Sequence, residues 1–432
     1  MYSGKATPKG RRVKCILLFA FLAFSWSDAM AQEYLAMRLN DVCSIFGGRS
    51  VQFDTIFTPQ FLDKVPPMQL RMIVTQVTAE SGPCSSIRIT DQRSGYQVFA
   101  EGSTTGGWLI PFTLSIETAP PYRIAGLYVR PPVKPTLDIN SVVEDFKALP
   151  GKTSLMVADL TSGITLASHA SSERLPIGST FKLYVLGELL TSMHKWEDVT
   201  RIDSSLYSLP SGSLQTWPHG APITLHTLAC QMISVSDNTA TDHLLHVLGA
   251  DAVMRGQAML GHSAPEVNDP FLSTREMFLL KFCDQGRYAQ AYARAEASER
   301  REILRLVKDT FALSDVAISS TPVLPDSVEW FASTAEIVRA LDWFRMASST
   351  KEGAAALEIL EINPGLMLDR TKWKRVCYKG GSETGVINMS YLLQNTEGKW
   401  FALSATWTNT QSSVDDLKFS GLVERTIRLL AP

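Results

Sequence analysis

Ser179 and Lys182 stand three residues apart in the run Gly178-Ser179-Thr180-Phe181-Lys182. A serine opening a helix with a lysine one turn on is a nucleophile beside a base, because the two side chains share a face. The spacing alone carries little, since Ser192/Lys195 and Ser348/Lys351 repeat it in polar stretches, as chance allows. Ser179 differs in context. It opens the apolar run Phe181 to Leu186, which reads as a buried helix. At that helix start the backbone dipole favours developing negative charge. A lysine held in the buried turn loses solvation, so its pKa falls and the neutral amine can take the serine proton.

Two further runs carry groups that would complete an acyl-transfer site. Ser236-Asp237-Asn238 offers a hydroxyl to relay a proton to the leaving group, and an amide to hold both a substrate carbonyl and the lysine. Asp237 reads as a loop pin, and on its own the triplet is an ordinary turn between helices. Lys379-Gly380-Gly381-Ser382 ends a β-rich run. Its glycines let a substrate backbone approach a strand edge, and Lys379 offers a cation for a carboxylate. Alone, this run is a bulge or tight turn.

These residues need a scaffold, and the chain is long enough, at 432 residues, for two or three domains. Lys5, Lys9, Arg11, Arg12 and Lys14 precede the apolar run Cys15 to Trp26, and Ala29-Met30-Ala31 follows. That order predicts a cleaved secretory signal over residues 1–31, hence a periplasmic or secreted protein. The five basic residues and Asp28 give that segment +4 of the chain's −2, leaving −6 for the remainder. A mildly acidic chain has no electrostatic footprint for nucleic acid. No later segment reads as a membrane span. Export makes a Cys43–Cys84 disulfide available. Cys230, Cys283 and Cys377 read as buried free thiols, and no cysteine spacing fits zinc.

Residues 32–129 read as a small α+β domain: helical pattern over 34–70, broken at Pro59, Pro66 and Pro67, then strands at 86–90, 96–100, 108–116 and 122–129. A proline-rich linker follows at 130–137. From 138 to 432 the order is helix, two strands, a long helical insertion, three strands and a final helix over 415–430. This order predicts an antiparallel sheet flanked by helices, with a helical subdomain and a cleft where the two meet.

Taken in order, Ser179-x-x-Lys182, Ser236-Asp237-Asn238 and Lys379-Gly380-Gly381 resemble the S-x-x-K, S-D-N and K-T-G set of class A β-lactamases and penicillin-binding proteins. The resemblance covers roughly residues 150–432. It implies a β-lactamase/transpeptidase-like α+β fold without cofactor or metal. Ser179 would be acylated, Lys182 the base and Ser236 the proton shuttle. Asn238, Lys379, Gly381 and Ser382 would bind substrate, with the Ser179 and Ser382 amides as oxyanion hole. The N-terminal part resembles the cystatin- or isomerase-like domain that precedes such a domain in a clavulanic-acid cluster protein.

Two departures stand out against that family. In the loop Gly261–Pro270, the position of the deacylating glutamate falls on Ala264; Glu266 and Asn268 remain as candidates for a part in deacylation. Gly380 replaces the motif's threonine or serine and removes a hydroxyl expected to bind a substrate carboxylate, while Glu383 adds a nearby negative charge. The expectation is an exported serine hydrolase forming a Ser179 acyl-enzyme with slow hydrolysis. Its partner would be a β-lactam, a peptidoglycan-like peptide or an ester. A D,D-peptidase or esterase, or a non-catalytic penicillin- or peptidoglycan-binding protein, are the alternatives. His243 and His246 lack a third metal ligand and read as packing residues or part of a solvated face.

Overall fold

The computed structural model describes residues 31–133, 138–209 and 211–431. The expected signal segment, save Ala31, lies outside the described residues, as do residues 134–137 of the expected linker. The chain divides into two units, Met1–Pro135 and Thr136–Pro432. No helix of the described residues is long and apolar enough to cross a membrane.

In the first unit, residues 31–46 are helical. Leu35, Leu39, Val42 and Phe46 recur at helical spacing and are buried. Helices Phe53–Ile56, Pro59–Lys64 and Pro67–Ser81 follow. The helical pattern breaks at these prolines, and Pro59 and Pro67 each begin the next helix, because proline lacks only an N–H that a first helical turn leaves unbonded. Thr58 caps the first of these by accepting from the Phe61 N–H. Strands β1 (Cys84–Ser94), β2 (Gln97–Thr104), β3 (Leu109–Ile116) and β4 (Ile124–Val129) form an antiparallel meander in sequence order. Strand β1 runs past the expected residues 86–90, because polar Asp91, Gln92 and Ser94 still pair with β2. A Cys43–Cys84 disulfide, Cα atoms 5.4 Å apart, ties the 31–46 helix to the start of β1.

The second unit opens with the helix Ile139–Lys147, capped by Asp138. Then come β5 (Lys152–Asp159), β6 (Ile164–His169), β7 (Arg174–Pro176), β8 (Val199–Arg201), β9 (Pro222–Thr224), β10 (Phe331–Ser333), β11 (Trp373–Glu383), β12 (Val386–Asn395) and β13 (Trp400–Thr408). Five of these make one antiparallel sheet in the order β11-β12-β13-β5-β6, so β11 is a free edge. The region expected to be mostly helical, from 179 to 344, also carries the short pair β8–β9 and strand β10, which pairs with β7 just ahead of it.

Alternation along the strands splits the core in two. Leu155, Val157, Val376, Tyr391 and Trp407 pack with the 139–147 and 416–430 helices, where Phe146 meets Phe419 edge-on at 5.6 Å. Ala158, Cys377, Leu392 and Ala402 face the helical subdomain and pack with Phe181, Leu183 and Leu186. Within that second face lies a buried polar seam. Asn388 Oδ1 accepts from Thr180 Oγ1 at 2.8 Å, and its Nδ2 donates to Thr406 Oγ1 at 2.8 Å. Thr180 follows the candidate nucleophile, so this seam moors the site to the sheet.

Candidate active site

The helix expected near Ser179 begins with a tighter turn: Gly178–Phe181 is a 3₁₀ turn leading into the α-helix Lys182–Thr191. Gly178 needs its freedom from a side chain twice over. Its φ is +49°, and a Cβ there would lie 2.9 Å from the Ser382 nitrogen. From the other side, a Cβ on Gly381 would overlap the Ile177 carbonyl and the Ser179 nitrogen. Two glycines therefore bring the backbone amides of Ser179 and Ser382 onto adjoining chains. Trp330 stacks on Phe181 at 3.8 Å, and its carbonyl accepts from the Ile177 N–H at 3.0 Å, closing the turn from the opposite side. Ser179 is half-buried, and its hydroxyl makes no hydrogen bond to a described residue.

Lys182 is fully buried one turn on. Its Nζ donates to the Ser236 carbonyl at 2.6 Å and to Asn238 Oδ1 at 2.7 Å, and lies 3.1 Å from Ser236 Oγ. Burial pushes its pKa well below the ordinary lysine value, and Lys379 pushes the same way, against weaker pulls from Asp242 and Asp237. Lys379 Nζ donates to the same Ser236 Oγ at 3.1 Å and to the Gly380 carbonyl at 2.5 Å. Burial pulls its pKa down to about 7. One hydroxyl thus bridges two lysines. Both lysines donate to it, so a proton carried by Lys182 can pass through the Ser236 hydroxyl to a leaving group.

Backbone strain helps to aim these groups. Ser236 has φ +57°, unusual for a residue with a side chain, and its carbonyl meets both Lys182 and Ser211 Oγ. Asp237 is the pin its type suggested. Its Oδ1 caps the Asn238–Leu248 helix at Ala240, and its Oδ2 accepts from the Ser213 and Leu214 amides. The Asn238 amide holds Lys182 through its oxygen and the Leu209 carbonyl through Nδ2 at 2.9 Å, leaving one N–H for a ligand. Ser179, Lys182, Ser236, Asn238, Lys379, Gly381 and Ser382 are linked through this one set of contacts.

Glu266 and Asn268 do not join it. Glu266 is exposed in the short turn Pro265–Asn268, and its carboxylate makes no hydrogen bond to a described residue. Asn268 is buried with both amide hydrogens committed, to Gln257 Oε1 and the Phe331 carbonyl, while its oxygen accepts from the Phe331 N–H. It clamps the loop to β10. Glu336 anchors the same loop, accepting from Arg174 and from the Ser263 amide and hydroxyl. Burial alone would raise the Glu336 pKa, but Arg174, Ser263 and Ser333 outweigh it and hold it at about 2.

Glu383 departs from expectation: it does not present an open negative charge. Lys281 Nζ, fully buried, donates to Glu383 Oε1 at 2.5 Å and lies 3.8 Å from Glu329 Oε1. Burial and the adjacent Glu383 carboxylate raise the Glu329 pKa to about 8, against the pull of Lys281. This cluster ties the end of β11 to the Thr274–Phe282 helix and to the segment before Trp330. A lysine inside Leu279-Leu280-Lys281-Phe282 and a glutamate inside Val328-Glu329-Trp330 are charges within apolar runs, the one signal that could have revealed the cluster. Lys281→Met is expected to destabilise the fold by about 3–5 kcal/mol, because it strands buried carboxyl groups. Urea unfolding checks this, and the deficit should shrink on acidification, which neutralises those groups.

His243 is buried, accepting from the Asp203 N–H at 2.8 Å and facing the Thr239 carbonyl at 2.7 Å, a packing arrangement. Among the described residues no group of His, Cys, Asp and Glu could hold a metal.

With the site and its sheet in place, comparison with known proteins gives one family. Residues 134–312 match the family described as the Beta-lactamase enzyme family. The matched stretch contains Ser179, Lys182, Ser236 and Asn238 and stops short of β11. Comparison with curated proteins finds no match. Among solved structures, a beta-lactamase from Sphaerobacter thermophilus DSM 20745 is 20% identical with a TM-score of 0.48, covering 67% of this chain and 94% of that one. A beta-lactamase from Desulfarculus baarsii DSM 2075 is 18% identical with a TM-score of 0.48, covering 69% and 100%. A PBP-A variant, solved as an acyl-enzyme complex with penicillin G, is 15% identical with a TM-score of 0.48, covering 67% and 93%. The second unit has the β-lactamase/transpeptidase-like fold of serine hydrolases, with mixed helices and antiparallel sheet.

Proposed function

We propose that the protein is an exported serine hydrolase in which Ser179 attacks the carbonyl of a β-lactam, or of a related amide or ester, to form an acyl-enzyme that hydrolyses slowly. The observation that carries this reading is the buried Lys182, its pKa lowered by burial, held against Ser236 one turn from a nucleophile whose hydroxyl is uncommitted. In the proposed step the Ser179 proton passes to Lys182, the carbonyl oxygen takes its charge onto the Ser179 and Ser382 amides, and Ser236 gives its proton to the leaving nitrogen or oxygen while Lys182 passes its own to Ser236, so no proton is gained or lost. Lys379 holds the substrate's anionic group beside that serine.

Slow release follows from Ala264, which carries no base, from the exposed Glu266, and from an Asn268 whose amide hydrogens are already bonded. The Cys43–Cys84 disulfide supports export, since such bonds persist in oxidising compartments. Pre-steady-state kinetics test the reading. A chromogenic β-lactam should give a burst equal to the enzyme present, followed by turnover far slower than the burst. Fast linear turnover without a burst would overturn slow deacylation. No reaction with β-lactams but turnover of D-alanyl peptides or esters would favour the peptidase or esterase alternative. Inertness to every acyl donor would favour a binding protein.

A further inference from the structure

The hydroxyl missing from Gly380 has a replacement two residues earlier. Residues i and i+2 of a strand share a face, and on β11 the Tyr378 ring runs forward over Gly380. A Cβ at position 380 would overlap the Tyr378 hydroxyl outright and come within 2.7 Å of the ring carbon that bears it. The phenolic oxygen therefore occupies the space from which a threonine or serine side chain at 380 would start. Glycine here is a requirement of the tyrosine.

The ring is fixed in place. It packs on Tyr391 with centroids 4.8 Å apart, while a Cβ on Gly365 would come 2.7 Å from its ring carbons on another side. Tyr391 is itself held, its hydroxyl accepting from the Leu366 N–H at 3.0 Å. Tyr378 is half-buried, its hydroxyl makes no hydrogen bond to a described residue, and that oxygen is not sealed from solvent. Burial first, and then Asp416, push the phenol pKa up to about 12, so it is a donor at neutral pH. Tyr378 and Lys379 stand on opposite faces of edge strand β11, and their polar ends meet at Gly380: the lysine Nζ on its carbonyl, the phenol over its Cα.

We propose that Tyr378 is a specificity-determining residue whose hydroxyl donates to an anionic group of the acyl donor, beside the Lys379 ammonium, in place of a hydroxyl at position 380. The proposal rests on the reading of Ser179 as an acylation site. It is tested by the acylation rate constants of the full-length protein with penicillin G, which bears a carboxylate, and with the uncharged ester p-nitrophenyl acetate. In Tyr378→Phe the penicillin-to-ester ratio should fall by about tenfold to hundredfold, the range for one hydrogen bond to a charged group. The double variant Tyr378→Val/Gly380→Thr, which returns the hydroxyl to position 380, should recover most of that ratio. An unchanged ratio in Tyr378→Phe would overturn the proposal, as would a wild type acylated by the ester alone. A wild type inert to both donors would overturn the Ser179 reading itself and this proposal with it.

Discussion

Ser179→Ala is expected to abolish acylation by β-lactams and activated esters, with a loss of roughly 10⁴-fold or more, as for nucleophiles elsewhere. The size of the effect follows from the geometry. Neighbouring hydroxyls are already committed: Ser236 Oγ lies between two lysines, Thr180 Oγ1 donates to Asn388, and Ser211 Oγ donates to the Ser236 carbonyl. None is free to attack in its stead. Stability should change by under about 0.5 kcal/mol, because a half-buried hydroxyl without a hydrogen bond is lost. Stopped-flow acylation and thermal unfolding on the same samples separate chemistry from folding. A variant that keeps a tenth of the wild-type rate would exclude Ser179 as the nucleophile.

Lys182→Met should lower acylation by about 10²–10⁴-fold, the contribution of a positioned general base. The more telling readout is its pH dependence. A lysine whose pKa is lowered is cationic, and so inactive as a base, below that pKa, and it becomes a base as pH rises through it. The wild-type acylation rate should therefore rise with pH, and Lys182→Met should lose that limb. Lys379 works in the opposite sense. Its ammonium binds anions below its pKa of about 7 and loses its charge above it, so the KM of carboxylate-bearing donors should rise on the alkaline side. The two signs together predict an optimum for anionic substrates that uncharged esters do not share. Equal pH profiles for wild type and Lys182→Met would remove Lys182 from the base role.

How far the sequence alone reached depends on how local each cause is. Ser179-x-x-Lys182 needs only one helical turn, Asp237 only a helix start, and the strand edges only alternation, so all of these are legible by eye. The N-terminal prolines are legible as helix breaks, but that Pro59 begins the next helix shows only in the Thr58 cap. Long-range pairings were out of reach. Glu383 reads as an open negative charge until Lys281, 102 residues away, is seen to neutralise it. Asn268 reads as a candidate for deacylation until Gln257 and Phe331 are seen to take its amide hydrogens. Gly380 reads as a lost hydroxyl because the direction in which Tyr378 leans along its strand is not written in spacing. These are contacts between segments that periodicity treats separately, and they decide what a familiar motif can do.

The most direct measurement is intact-protein mass spectrometry, followed by peptide mapping, after mixing the full-length protein with penicillin G. A single adduct that persists for minutes and maps to the peptide bearing Ser179 is the predicted result. An adduct on another residue would contradict the account, and so would its absence with penicillin G and with every activated ester tried.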